Sequence, residues 1–128
     1  MTKINEIYKC EICGNVVSVI DSGVGELICC GQAMKLLEEN TMDAEGNEKH
    51  VPIVEIYDGG VNVKVGSIPH PMEENHYICL IQLVKDGKVL TGRRLNPGEK
   101  PEVSFCLPDT EGITAKALCN VHGLWKSE

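Results

Sequence analysis

Cys10 and Cys13 form a Cys-x-x-Cys pair, Cys29 and Cys30 are adjacent, and Cys119 and His122 stand three residues apart in "ALCNVHGLW". Three further histidines, His50, His70 and His76, lie between these groups. A Cys-x-x-Cys loop aims two thiolates at one tetrahedral ion, so "CEIC" followed by "ICC" is a four-thiolate set. Gly14 leaves the backbone after the second cysteine free to turn its N–H groups toward sulfur. The adjacent second pair is unusual. Neighbouring side chains on extended backbone point opposite ways, so Cys29 and Cys30 reach one ion only where the chain twists locally. Zinc and iron both accept four thiolates, and this spacing does not choose between them.

The histidines form a second set. Four imidazoles and the Cys119 thiolate make five donors, one more than the closed shell of structural zinc. An octahedral iron takes five and keeps one position for a small molecule. Ferrous iron with a single thiolate leaves that site positively charged, which favours a small anion. The other reading of Cys119 and His122, a nucleophile with its base, needs a third orienting group, and none is evident.

These groups must be positioned by a chain of 128 residues with 42% hydrophobic and only 4% aromatic content. Its core therefore rests on Val, Ile and Leu, which suits packed strands. A net charge of −7 argues against nucleic-acid and anionic-membrane partners. No apolar run approaches the roughly 18–20 residues of a membrane span, and "MTKINEIYKCEICGN" lacks the apolar core of a secretory signal. Seven cysteines is a high count for a chain expected to be cytoplasmic, and those at motif spacing read as metal ligands before disulfides.

The ligand sets are segregated. Four cysteines fall in residues 1–36 and every histidine lies beyond residue 45. Two units follow: 1–36 around the cysteines, a polar joining segment 37–47, and 48–128 around the histidines. The first reads as a hairpin of "VVSVI" and "ELICC" across "DSGVG". It is too small to fold on its own core, and a metal staple is expected. The second carries short strand signals: "VPIVEIY" and "VNVKVG" across "DGG", "HYICLIQLV" and "KVLTGRRL" across "DG", then "PEVSFCL" and "ITAKALC". Six or seven short strands without a helical period predict an all-β chain whose larger part is an immunoglobulin-like β-sandwich. The histidines and Cys119 then sit at strand ends or in loops, where such a fold gathers its functional residues.

Taken together, "YKCEICGN", "ICCGQAMKLL", "EKHVP", "HPMEENHYI" and "CNVHGLWK" resemble the desulfoferrodoxin family of two-centre superoxide reductases, over essentially the whole chain. The resemblance implies a small desulforedoxin-like domain whose Cys10, Cys13, Cys29 and Cys30 hold one iron. It implies a sandwich whose second iron takes His50, His70, His76 and His122 in a plane and Cys119 as the axial thiolate, opposite an open position. One-electron reduction of superoxide to hydrogen peroxide is the implied activity, with electrons from a rubredoxin-like donor and a homodimer as the implied assembly. Lys49 precedes His50, and its positive charge is expected to draw superoxide toward the iron. By the same resemblance, Glu48 closes onto the ferric ion after turnover and helps order water for proton delivery.

The remaining candidates read as structural. Cys79 and Cys106, within strand patterns, are expected in the core. Trp125 and Tyr77 are expected to pack or shield the site, and "GVGELI" is a turn rather than a phosphate loop. Three rivals stand beside the reductase: a superoxide dismutase, a pure electron carrier, and a zinc-stapled binding module.

Overall fold

The structure, a computed structural model, describes residues 1–41 and 50–127. Among these residues every regular element is a strand, as the Val- and Ile-rich composition requires. None is a helix long and apolar enough to cross a membrane. The chain forms two compact units, Met1–Glu38 and Glu39–Glu128.

In the first unit, β1 (Ile7–Lys9) is the middle strand of a small sheet between β2 (Val16–Ser18) and β5 (Lys35–Leu36). A separate ribbon joins β3 (Ile28–Cys29) to β4 (Gln32–Ala33). The expected hairpin is therefore corrected: Val16–Ser18 pair with Ile7–Lys9, not with "ELICC". The cause is the cysteine loop itself. Cys10 donates its N–H to Asn15 O at 2.9 Å and Gly14 donates to Cys10 O at 2.9 Å, with Gly14 at φ +83°. That tight turn brings the flanking segments together at once, before "DSGVG" is reached. Apolar burial is slight, confined to Ile7, Cys10 and Val19 among the described residues of this unit. A core of that size cannot offset the ordering entropy of nearly forty residues.

The second unit contains β6 (Glu39–Asn40), β7 (Pro52–Tyr57), β8 (Gly60–Val65), β9 (Ile78–Lys85), β10 (Lys88–Arg94), β11 (Glu102–Cys106), β12 (Ile113–Cys119) and β13 (Gly123–Lys126). Two sheets, ordered β10-β9-β12-β13-β6 and β11-β8-β7, form the immunoglobulin-like β-sandwich. The β9–β10 turn is made by Asp86 at φ +52° and Gly87 at φ +76°, the double left-handed geometry that an Asp-Gly hairpin supplies.

Period-2 alternation builds the core. Val61, Val63 and Val65 of β8 face Ile81 and Leu83 of β9 and Ala115 and Ala117 of β12, all at 0–1% exposure. Cys119 continues the parity of Ala115 and Ala117, so its side chain also points inward, at the very end of β12. The same parity overturns one expectation. Val103 of β11 faces the core, which places Cys106 on the outer face with Ser104, and Cys106 is exposed. Cys79 is half-buried, with its thiol toward Leu118 O at 3.4 Å.

Two short strands lay below the reach of sequence periodicity. β13 follows Cys119 after a turn, so the strand ending there is not the last of the sheet. β6, within the stretch read as a joining segment, runs parallel to β13. Glu39 fixes it there through Lys116 at 2.5 Å and Lys126 at 3.8 Å, and Asn40 Nδ2 donates to Leu124 O at 3.1 Å.

Candidate metal centres

The four N-terminal cysteines converge in the first unit. Their sulfurs lie within 4.8 Å of one another, with Cys13 Sγ 3.5 Å from Cys29 Sγ and Cys29 Sγ 3.9 Å from Cys30 Sγ. The local twist demanded by adjacent ligands is present: Cys30 adopts φ +52° and Gly31 follows at φ +77°. The Cys13 N–H points at Cys10 Sγ from 3.5 Å, and this bond chiefly lowers the Cys10 thiol to about 6. Side-chain hydrogen bonds to Cys13, Cys10 and Cys29 push Cys30 up to about 12. Four thiols this close cannot all ionise unless a cation shares their charge. A soft transition metal fits that donor set.

At one end of the sandwich, His50 precedes β7, His70 and His76 lie in the loop before β9, and His122 lies in the turn between β12 and β13. Their rings form a closed cycle. Centroids are 4.9 Å apart for His50–His70, 4.8 Å for His70–His76, 4.9 Å for His76–His122 and 4.7 Å for His122–His50. Every neighbouring pair is edge-on, at 68° to 80°. Four blades around a common centre result, each presenting a nitrogen edge.

The nitrogens show which way those edges point. His70 Nδ1 lies 2.7 Å from Pro71 O. A carbonyl only accepts, so Nδ1 carries the proton and Nε2 keeps its lone pair. That Nε2, and the Nε2 of His76, are buried without a hydrogen-bond partner. Such orphans are rare in folded proteins and ask for a missing partner. His50 Nε2 and His122 Nδ1 face each other at 3.1 Å. Cys119, 1% exposed, puts its Sγ 3.9 Å from His122 Nδ1 and accepts the His122 N–H at 3.4 Å. His50, His76, Cys119 and His122 offer ligand atoms all within 4.8 Å of one another, and His70 completes the ring. Two orphaned nitrogens, two more nose to nose and a buried sulfur fit a transition-metal ion with one position to spare.

Trp125 supports two of these groups. Its ring stacks on His50 at 4.7 Å and 19°, and its Nε1–H donates to His122 O at 3.1 Å. Pro71 O and Asn120 were not legible from sequence; a proline carbonyl and a turn asparagine carry no motif. Glu48 and Lys49 lie outside the described residues.

Burial lowers His70 to about 4, against a smaller opposing effect of the Pro71 carbonyl. In iron-free protein the unfolded chain takes up a proton near 6.5, while folded His70 stays neutral until about 4. The unfolded state therefore binds more protons across that window, and stability falls as pH drops through it. The expected loss is on the order of 1–3 kcal/mol. Urea midpoints followed by Trp125 fluorescence at several pH values check this, and His70→Asn should flatten that part of the profile.

Comparison with known proteins agrees with this construction. The family model for the desulfoferrodoxin N-terminal domain matches residues 2–37, and the desulfoferrodoxin model matches residues 41–128. Desulfoferrodoxin of Desulfarculus baarsii is 52% identical over 123 residues, covering 96% of this chain and 95% of that protein. Superoxide reductase from Treponema pallidum superposes with a TM-score of 0.74 at 28% identity, over 96% of this chain and 97% of that one. A superoxide reductase (1Fe-SOR) from Giardia intestinalis gives a TM-score of 0.56 at 33% identity, over 63% of this chain and 96% of that one. Fold and donor sets together define a two-centre, thiolate- and imidazole-ligated iron protein. The chain belongs to the desulfoferrodoxin family.

Proposed function

We propose that this protein is a superoxide reductase, adding one electron and two protons to superoxide to give hydrogen peroxide. The closed ring of four imidazoles set against the buried Cys119 thiol carries this reading. His50, His70, His76, His122 and Cys119 would hold the iron of this centre, and Cys10, Cys13, Cys29 and Cys30 a second iron. When bound, ferrous iron supplies the electron and a free coordination position for the substrate.

The chain's own residues do the rest. The His122 N–H aimed at Cys119 Sγ stabilises negative charge on sulfur, and a thiolate there would raise the electron density of a bound iron. Burial keeps His70 neutral and its Nε2 lone pair available at physiological pH. His122 is the exposed member of the ring, whereas His50 and Cys119 are buried. Lys49, next to His50 in sequence, is assigned the steering of superoxide, and Glu48 the ordering of water for proton delivery. Beyond about 8 Å the acidic charge of the chain is largely screened, so a nearby cation governs the approach.

The domain assignment follows the ligand sets, with 1–36 as the thiolate domain and 48–128 as the reductase domain, Glu39 and Asn40 of the joining stretch 37–47 being taken into the second unit's sheet. We assign a rubredoxin-like protein as electron donor and a homodimer as the assembly. Ile12, Val16, Val17, Ile28 and Leu36, exposed on the small first unit, support an apolar partner for it. We also assign a cytoplasmic location, because cysteines at metal-ligand spacing fit a reducing compartment.

The test is stoichiometric. Iron-loaded protein with excess reductant and donor, given a superoxide flux, should yield one peroxide per superoxide and release no oxygen. Half that peroxide with oxygen evolution would mean dismutation. Superoxide persisting at the uncatalysed rate would leave an electron carrier or a binding module.

A further inference from the structure

Asn120 directly follows Cys119 and opens the turn that carries His122. Both ends of its side-chain amide are engaged on another segment. Oδ1 accepts the N–H of Tyr77 at 2.8 Å, and Nδ2 donates to the carbonyl of Asn75 at 3.2 Å. Its own backbone N–H donates to Tyr77 O at 3.1 Å. Asn75 and Tyr77 are the residues on either side of His76. A single side chain thus grips the backbone on both flanks of one ring member from a position adjacent to the thiol.

We propose that Asn120 is a positioning residue: it sets the placement of His76 relative to Cys119 and His122 and so holds the histidine centre closed around its ion. This rests on the reading of that centre given above. The loop around His76 has its own short-range bonds, Glu73 N–H to His76 O at 2.9 Å and His76 N–H to Glu73 O at 3.1 Å. Those shape the loop without attaching it to the β12–β13 turn. The Asn120 amide reinforces that attachment with one acceptor and one donor, beside the backbone bond from Asn120 N–H to Tyr77 O. Alanine removes both bonds. Aspartate keeps the acceptor toward Tyr77 but sets a carboxylate against the Asn75 carbonyl, so it should restore the function in part. Partners that orient metal ligands commonly govern affinity by about 10- to 100-fold, and that is the effect expected of Asn120→Ala.

Full-length protein loaded with Fe2+ is titrated with a ferrous chelator, and retained iron is followed by the absorption of each centre after reoxidation. The four-thiolate centre is the internal control. Val121→Ala, an exposed change in the same turn, is the control variant. Asn120→Ala should release iron from the histidine centre at about 10- to 100-fold lower chelator, with Asn120→Asp between it and wild type and the four-thiolate iron unmoved. An altered absorption band of the iron still bound would accompany this. Equal retention by Asn120→Ala and wild type overturns the positioning role. If the alanine variant does not fold, Asn120→Asp decides on the same two outcomes. A wild-type chain holding no iron at the histidine centre would instead overturn the underlying reading, so the two failures are distinct.

Discussion

Cys119→Ser is expected to abolish superoxide reduction, lowering the rate by more than about 100-fold, beyond the usual effect of losing a supporting partner. Sulfur and oxygen are nearly isosteric, and Cys119 sits at 1% exposure beside the small residues of β12. The sandwich should therefore fold, at a cost of about 1–3 kcal/mol for the buried hydroxyl. The serine hydroxyl does not ionise in this range, so the His122 N–H would find no anion to stabilise and a bound iron would lose the electron donation of a thiolate. Fast superoxide mixing with iron analysis checks the point. A variant holding iron at the histidines and turning over at near wild-type rate would refute the role assigned to Cys119.

The second large effect separates the two ligand sets. Cys13→Ser should lower iron from two ions to one per chain and unravel Met1–Glu38, whose buried apolar side chains are Ile7, Cys10 and Val19. Metal binding of this kind contributes on the order of 10 kcal/mol to a small domain, far more than those three residues supply. Superoxide reduction at the histidine centre should persist when a chemical reductant feeds it, because its five donors all lie in Glu39–Glu128. Proteolytic sensitivity of the N-terminal segment, iron per chain and rate are the measurements. A collapse of rate despite direct reduction would mean that electrons must pass through the first centre.

Much of this was legible in the sequence, for identifiable reasons. Turn chemistry such as "DG" at Asp86 and Gly87 is local, and alternation over six to eight residues fixes which side chains face inward, as along Val61, Val63 and Val65. Ligand types announce themselves by spacing. What escaped was either short or non-local. Gly123–Lys126 offers too few residues for a period, and Glu39–Asn40 is held as a strand by distant partners: Lys116 and Lys126 on Glu39 and Leu124 O on Asn40. Cys106 looked like a core residue by type, yet strand parity set by Val103 turned it outward. The pairing of Val16–Ser18 was missed because the Cys10–Cys13 loop, rather than the glycine-rich turn, closes that sheet. Asn120 acts across 43 residues to Tyr77, a relation no pattern along the chain displays.

The separation of ligands along the chain has a further consequence, for the order in which the protein matures. Cys10 and Cys29 are 19 residues apart, whereas His50 and His122 are 72 apart. A short loop closes at small entropic cost, and N-terminal segments emerge first during synthesis. The thiolate site can thus capture its ion while the rest is still being made. The histidine ring exists only once β12 and β13 have joined the sheet. Nascent and misfolded chains therefore lack the reactive centre altogether, and peroxide-generating chemistry is confined to molecules that have finished folding.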